Sequence, residues 1–106
     1  MELEDLKILI MGEIEKEKSI KYRYPDNIEP AVNLGLTMAF GIVLGTNNTL
    51  DTYDEFAHAA IRKIKHKENT LSDPKNTVST DTFYMLLGME TACDIVEEML
   101  NKINGD

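Results

Sequence analysis

Residues 31–50 carry no charged side chain, in a chain of 106 residues that is 28% charged overall. Asn33, Thr37 and a polar end at residues 46–49 leave an apolar part of about 15 residues, whereas a membrane-spanning helix needs roughly 20. An apolar run that is too short for a membrane has to be covered by the rest of the chain. We therefore expect this segment to form a buried core helix in a protein that does not enter membranes.

Apolar residues recur at three- and four-residue steps in four segments of the chain, which is the period of the α-helix. We therefore predict an all-α fold, in which one compact four-helix domain, with two helical hairpins as an option, spans residues 1–106. The helices are predicted at about residues 2–18, 28–44, 51–66 and 80–104. Residues 19–25 fit either a short extended segment or a last helical turn followed by a linker. Residues 68–79 fit a polar loop whose length favours a mobile or functional segment.

The ends of the predicted helices carry capping residues. Asp26 or Asn27 can cap the second helix, which Gly45 would end in the left-handed conformation. Thr52 has the spacing of a capping box, and Asp51 is an equally good cap for the third helix. The core positions of the third helix are Tyr53, Phe56, Ala57, Ala60, Ile61 and Ile64. Those of the fourth are Met85, Met89, Ala92, Val96, Met99 and Ile103, widened by Phe83, Leu86, Leu87, Ile95 and Leu100.

The second and fourth helices share a sequence pattern. Leu-Gly-Leu-x-x-Ala-x-x-Ile-Val at residues 34–43 matches Leu-Gly-Met-x-x-Ala-x-x-Ile-Val at residues 87–96, an offset of 53 residues. Helices one and three do not match at that offset, so duplication of a helical hairpin stays a hypothesis. Small residues in this pattern permit close backbone contact, either where helices two and four cross within one molecule or in a homodimer or partner interface. They are Ala31, Gly35, Ala39, Gly88 and Ala92.

The chain is acidic, with 19 Asp and Glu against 11 Lys and Arg and a net charge of −8. This balance argues against nucleic-acid binding, which usually requires a basic surface. The surplus carboxylates lie in residues 1–18, 51–61 and 80–106, against one basic cluster at residues 62–67. We predict that the acidic side of the fourth helix, together with the loop at residues 68–79, binds a protein partner with a basic surface, the alternative being a solvated face that only keeps the protein soluble. Its residues are Glu90, Asp94, Glu97 and Glu98.

Cys93 is the one cysteine in the sequence. It can form no internal disulfide, which favours a reducing compartment and so a cytoplasmic location, and the acidic N-terminus is unlike a secretory signal. Between Ala92 and Asp94, in the middle of the fourth helix, Cys93 is expected to pack as a small apolar residue rather than to act as a nucleophile.

Motifs that carry catalytic or cofactor chemistry are not found in the sequence. There is no serine elbow, no glycine-rich phosphate loop and no dinucleotide fingerprint. Asp51-x-x-Asp54 and Asp94-x-x-Glu97 resemble the magnesium-binding helices of all-α nucleotide pyrophosphohydrolases, without reproducing the E-x-x-E and E-x-x-D pair of that family. We therefore predict no catalytic residues, no metal site and no cofactor, and keep a metal-dependent all-α hydrolase as the third hypothesis.

The leading hypothesis is a small acidic protein, without enzymatic activity, that binds another macromolecule as an accessory or inhibitory factor, with a homodimer as an option. The composition, rich in Lys, Glu, Asn and Ile, is typical of an AT-rich coding source such as a low-GC bacterium or its phages. A second hypothesis is a helical protein that binds a small molecule or nucleotide, because tyrosine offers a pocket wall an apolar body with a polar tip. Its pocket would lie near Tyr22, Tyr24, Tyr53 and Tyr84, with Arg23 or Arg62 as the anchor for an anion.

Overall fold

The structure, a computed structural model, describes residues 3–20, 24–46, 52–73 and 80–105. These residues form four helices: α1 is Leu3–Lys18, α2 is Glu29–Gly45, α3 is Tyr53–Leu71 and α4 is Thr80–Ile103. Strands do not occur in the described ranges, and residues 21–23, the middle of the segment for which an extended option is predicted, lie outside them. The prediction of an all-α four-helix fold is confirmed.

Consecutive helices pair as antiparallel hairpins. In the first hairpin, Lys7 Nζ near the start of α1 donates to the carbonyl oxygen of Thr46, just past the end of α2, at 3.2 Å. In the second, Asn104 Nδ2, just past the end of α4, donates to Asp54 Oδ1 at the start of α3, at 3.2 Å. The two hairpins pack on each other mainly through α2 and α4. The chain thus adopts the two-hairpin option.

All four helices contribute to one hydrophobic core. Its buried residues include Leu6, Ile10 and Ile14 in α1, Val32, Leu36, Ala39 and Val43 in α2, Phe56, Ala60 and Ile64 in α3, and Met89, Ala92 and Val96 in α4. Steps of three and four keep these residues on one side of each helix. Apart from Glu29 in its first turn, α2 carries no charge; it is buried on its inner side only, and its outer side is exposed. Within the described ranges, no helix combines the length and apolarity needed to cross a membrane.

The helices α2 and α4 touch backbone to backbone at two glycines. A Cβ atom on Gly35 would overlap the carbonyl group of Met85, and a Cβ atom on Gly88 would overlap the carbonyl oxygen of Val32. A side chain at either position would therefore push the two helices apart. Of the two interpretations of the small residues, the crossing within one molecule accounts for these glycines.

Each contact at this crossing has a counterpart in which both residues are shifted by the same 53 residues along the sequence, one forward and the other back. Gly35 and Gly88 are 53 residues apart, and so are the residues that they meet, Val32 and Met85. The first helices of the hairpins match too, at an offset of 50 residues, because the buried positions 6, 10 and 14 recur at 56, 60 and 64. The spacing from Ile14 to Gly35 is 21 residues and that from Ile64 to Gly88 is 24, so no single offset aligns both pairs of helices. This reciprocity supports the duplication hypothesis.

The N-terminus of α2 differs from the prediction. Ile28 occupies the N-cap position and makes no side-chain cap hydrogen bond, so the prediction that Asp26 or Asn27 caps this helix is wrong. The chain enters the helix through a turn instead, in which the carbonyl oxygen of Pro25 accepts the backbone N–H groups of Ile28 and Glu29 at 2.9 and 3.0 Å.

The C-terminus of α2 differs as well, whereas that of α4 agrees. Gly45 is the last helical residue of α2 and does not take the predicted left-handed conformation. The buried Thr46 ends the helix in an extended conformation, and its Oγ1 donates to the carbonyl oxygen of Ile42 at 2.8 Å. At the end of α4, Gly105 has a φ of 89°, so the helix ends near residues 104–105 as predicted.

The start of α3 agrees with the prediction. Thr52 is the N-cap, and its Oγ1 accepts the backbone N–H of Glu55 at 3.1 Å. The equally good cap, Asp51, lies outside the described residues.

The end of α3 lies five residues beyond the predicted one. The helix continues to Leu71, so residues 68–71 of the predicted loop are helical, while residues 74–79 lie outside the described ranges. The extension has a packing reason, because Glu68 and Leu71 continue the inward side of the helix after Ile64.

Candidate functional site

One side of α4 faces away from the core along most of the helix. Steps of four and three residues keep its members on one line, which we name the α4 outer stripe: Phe83, Leu87, Glu90, Asp94 and Glu97. Phe83 is 63% exposed and Leu87 36% exposed, so the prediction that they widen the core is wrong. The core contacts of α4 use the opposite side of the helix. The stripe is therefore apolar in its first half and acidic in its second.

The acidic half of the stripe, with the adjacent Glu98, is open to solvent. Asp94, Glu97 and Glu98 are all exposed. Glu98 Oε1 lies 3.5 Å from Lys102 Nζ, one helical turn further on. Within the part of the chain that the structure describes, Asp94 and Glu97 make no hydrogen bond or ion pair through their side chains. One lysine thus accompanies three carboxylates, which leaves a local surplus of negative charge on a helix.

Glu90, the fourth predicted partner-binding residue, is engaged within the molecule. Lys65 Nζ of α3 donates to Glu90 Oε1 at 3.0 Å and to Glu90 Oε2 at 3.3 Å. Hydrogen bonds from Glu68 and Lys65 hold the pKa of Glu90 below its ordinary value. Glu90 therefore links α3 to α4 and offers a partner less charge than the other three carboxylates do.

Glu68 is the buried member of this group. It is only 8% exposed, and its Oε1 atom is buried without a hydrogen-bond partner among the described residues. Burial and a hydrogen bond with Glu90 raise the pKa of Glu68 to about 7. Near neutral pH, a proton on Glu68 is therefore donated to the ionised Glu90. The sequence analysis does not identify Glu68, because it places residue 68 in a loop. If the third helix is continued beyond residue 66, the four-residue step from Ile64 puts Glu68 on the buried side.

Cys93 packs beside the same carboxyl groups. It is buried, and burial, followed by the negative charge of Glu68, raises the pKa of the thiol to about 12. A buried thiol that keeps its proton is a poor nucleophile. The expectation that Cys93 packs as a small apolar residue is confirmed.

The predicted small residues lie where α2 meets α4. Four of the five are buried, namely Gly35, Ala39, Gly88 and Ala92, and Ala31 is half-buried. Buried residues meet a second molecule only if the monomer opens. A homodimer therefore requires a different surface from the one predicted.

The tyrosines of the small-molecule hypothesis do not line one pocket. Tyr24 lines a small cavity beside the start of α2, whereas Tyr53 lines a separate open groove between the middle of α1 and the end of α4. Tyr84 packs edge to face on Phe83, with the ring centroids 5.4 Å apart. Arg62 is exposed on α3. Outside the described residues are Tyr22 and Arg23.

The carboxylates of the hydrolase hypothesis are not gathered into a metal site. Within residues 3–20, 24–46, 52–73 and 80–105, no three His, Cys, Asp or Glu side chains lie close enough together to hold a metal ion. Asp94 and Glu97 face solvent, Asp54 accepts from Asn104, and Asp51 lies outside these ranges. The described residues therefore give this hypothesis no support.

No protein-family model matches the sequence, and neither the curated proteins nor the solved structures show significant similarity to it. A function for the chain therefore has to be argued from its own residues, among which the α4 outer stripe combines exposed apolar area with uncompensated charge.

Proposed function

We propose that this protein acts without catalysis, as an accessory or inhibitory factor that binds a protein with a basic surface through the α4 outer stripe and Glu98. The observation that supports this proposal is the combination, on one face of one helix, of an exposed aromatic side chain with uncompensated carboxylates. A protein is the expected partner rather than a nucleic acid, because a molecule with a net charge of −8 repels phosphate groups.

The carboxylates would orient the partner and accelerate its approach. Asp94 and Glu97 lack a cation among the described residues, so a lysine- or arginine-rich surface would find their charge available. Exposed charges remain hydrated, and they contribute more to the association rate and to specificity than to affinity.

Phe83 would supply the anchor. Aromatic side chains contribute a large share of binding energy where they become buried in an interface. The edge-to-face contact with Tyr84 supports the Phe83 ring from one side while 63% of the residue remains exposed. Leu87, one turn further along, extends the apolar area toward the acidic half.

The test is affinity capture, with cross-linking, from lysate of the cells that make the protein, followed by quantitative mass spectrometry. Wild type is compared with Glu97→Lys and Phe83→Ala. We expect one basic protein to be recovered with wild type, and about three- to tenfold less of it with either variant, the loss usual for a charge at the rim or an aromatic anchor.

The matched control is Glu15→Lys. Glu15 is exposed on α1, and its reversal changes the net charge by the same amount as Glu97→Lys. We expect Glu15→Lys to recover the partner as wild type does. Equal losses with the two reversals would mean that overall charge, not the α4 outer stripe, governs binding, and the proposal would be wrong.

A groove favours a second candidate function, the binding of a small molecule. The groove has a volume of about 700 Å³ and is lined by Leu9, Glu13, Tyr53, Met99, Lys102 and Ile103. Its walls suit a ligand with an apolar body, and Lys102 would have to exchange its ion pair with Glu98 for an anionic group on that ligand. The test is the melting temperature in the presence of apolar carboxylates and of nucleotides, with Leu9→Glu as the variant that should abolish any increase. No increase with any of these ligands would exclude the candidate as stated.

A further inference from the structure

The outer side of α2 is uncharged along its whole length. Its exposed residues follow each other at steps of four and three, and we name them the α2 outer stripe: Pro30, Leu34, Thr37, Gly41 and Leu44. Leu34 is 49% exposed and Leu44 is 53% exposed. A helix face with two half-exposed leucines and no charge is unusual in a molecule whose net charge is −8.

The second hairpin provides an internal comparison for this face. The offset of 53 residues that relates the glycines of the crossing also carries each member of the α2 outer stripe onto one member of the α4 outer stripe. At the equivalent positions, α4 has Glu90, Asp94 and Glu97, where α2 has Thr37, Gly41 and Leu44. The fold therefore accepts charged side chains at these positions. Packing within the monomer does not explain why α2 has uncharged residues there.

Gly41 has no packing role within the monomer. A Cβ atom added to it would meet nothing within 4 Å among the described residues, in contrast to Gly35 and Gly88. Gly12 of α1 is equally open, but Glu15 and Lys16 follow it one turn further on. An open glycine alone is therefore not a contact site. On α2 it lies within an uncharged apolar face, where it would allow another backbone to approach.

The order of residues along the stripe is symmetric about position 39. Thr37 and Gly41 lie two residues to either side of that position, and Leu34 and Leu44 lie five residues to either side. Two copies of α2 placed antiparallel across a two-fold axis at this position would pair each leucine with the other leucine and Thr37 with Gly41. The small residues would meet where the helices come closest.

We propose that the α2 outer stripe is a self-association face, on which a second copy of this chain docks antiparallel across a two-fold axis near residue 39. Charge selects this occupant. A second copy is as acidic as the first, and the stripe itself offers it no carboxylate; Asp81 of α4 lies beside Pro30 and Leu34 at one end only. A basic partner would find little opposite charge along the rest of the face. The proposal uses no residue of the α4 outer stripe, so it and the proposed function can fail independently.

The test is the mass of the protein in solution as a function of concentration, measured by sedimentation velocity or by light scattering after size exclusion. Four turns of one helix cover less than the roughly 800 Å² per partner of a standard interface, so association is expected at about 0.1–1 mM. The mass of wild type should rise from 12.0 kDa toward twice that value. Gly41→Glu and Leu44→Glu should keep the mass of the monomer at every concentration.

Two matched variants control for added charge and for altered helix propensity. Gly12→Glu changes an equally open glycine of α1, and Ile8→Glu changes an apolar residue of α1 that is 57% exposed. Both should associate as wild type does. A wild-type mass that stays at 12.0 kDa up to about 1 mM, or equal dissociation by the α1 and α2 variants, would overturn the proposal.

Disulfide trapping tests the antiparallel pairing. The buried Cys93 should give wild type no cross-linked species under mild oxidation. A mixture of Thr37→Cys with Gly41→Cys should yield more disulfide-linked dimer than either variant alone, because these positions face each other across the axis. More linked dimer from a single variant than from the mixture would contradict the pairing.

Discussion

Glu68 shows how one residue departs from the rule that governs its helix. It lies one turn after Ile64 on the buried side of α3, where the helical period favours an apolar residue. The sequence marks it as polar, and residues 68–79 are accordingly predicted to be a loop. Its partner Glu90 is 22 residues away in the sequence, so no local pattern joins the two. Only the antiparallel packing of α3 on α4 brings the carboxyl groups together.

Replacing Glu68 by Gln should stabilise the protein above neutral pH. The pKa of Glu68 is about 7 in the folded protein and ordinarily 4.5, so the folded state binds more protons between these values, and stability falls as the pH rises through this interval. The amide has no proton to lose. We expect Glu68→Gln to raise the free energy of unfolding at pH 8 by on the order of 1–3 kcal/mol, with little gain at pH 4.

Urea denaturation at pH 4 and pH 8 measures this difference. The exposed Glu15→Gln is the control, because it removes one carboxylate without changing the Glu68–Glu90 pair. If Glu68→Gln were no more stabilising at pH 8 than at pH 4, Glu68 would not titrate in this interval.

The elements differ in how well their sequences predict them. The inner sides of α1 and α3 follow from helical spacing: Leu6, Ile10 and Ile14, at steps of four residues, are all buried. The start of α3 follows from its cap, Thr52. The start of α2 does not, because a turn at Pro25 satisfies the backbone where a side-chain cap is predicted. Caps are predictable where a side chain makes the hydrogen bond, and less so where the backbone makes it.

Substitutions of the glycines should have opposite effects in different helices. Gly35→Ala and Gly88→Ala force a methyl group onto the facing carbonyl groups, and each should lower the free energy of unfolding by about 3 kcal/mol or more. Gly12→Ala, on the open side of α1, should raise it by about 0.5–1 kcal/mol through helix propensity. Chemical denaturation of the three variants measures the contrast. A stabilising Gly88→Ala would mean that α2 and α4 are not in backbone contact.

Removal of the cap of α3 should weaken that helix. Thr52→Ala loses the hydrogen bond to the backbone N–H of Glu55, and we expect a loss of about 1 kcal/mol in the free energy of unfolding. Thermal or urea denaturation measures it. A loss below about 0.3 kcal/mol would indicate that Asp51 takes over as the cap.

At the scale of the whole molecule, the sequence predicts the class of fold, while the surfaces follow from how the hairpins meet. Four amphipathic segments suffice to indicate an all-α fold. The acidic residues Asp94, Glu97 and Glu98 are exposed as the sequence suggests, but the apolar half of the same stripe is not foreseen. From its sequence position alone, an apolar residue such as Phe83 is predicted to be buried. Whether it is buried depends on where the neighbouring helices pack, and that packing is determined by contacts between segments distant in the sequence.

The net charge of −8 should make stability depend on salt. Repulsion among the carboxylates opposes the compact state, and ions screen it. Raising NaCl from about 20 mM to about 200 mM should raise the melting temperature by about 2–5 °C. Glu97→Lys should gain less than wild type from salt, because it carries less surplus charge. A melting temperature that falls with added salt would show that ion pairs such as Lys65–Glu90 outweigh the repulsion.

The crossing of α2 and α4 also bears on how this sequence can change over time. Where two helices touch through their main chains, their separation is set by atoms that no substitution alters. The other core side chains then only have to fill volume, a role for which flexible side chains such as those of the buried Met89 and Met99 are suited. Substitutions should therefore accumulate at the methionine and leucine positions and be rare at Gly35 and Gly88. Divergent copies of this gene should be recognisable by two glycines at a fixed spacing long after overall identity has faded.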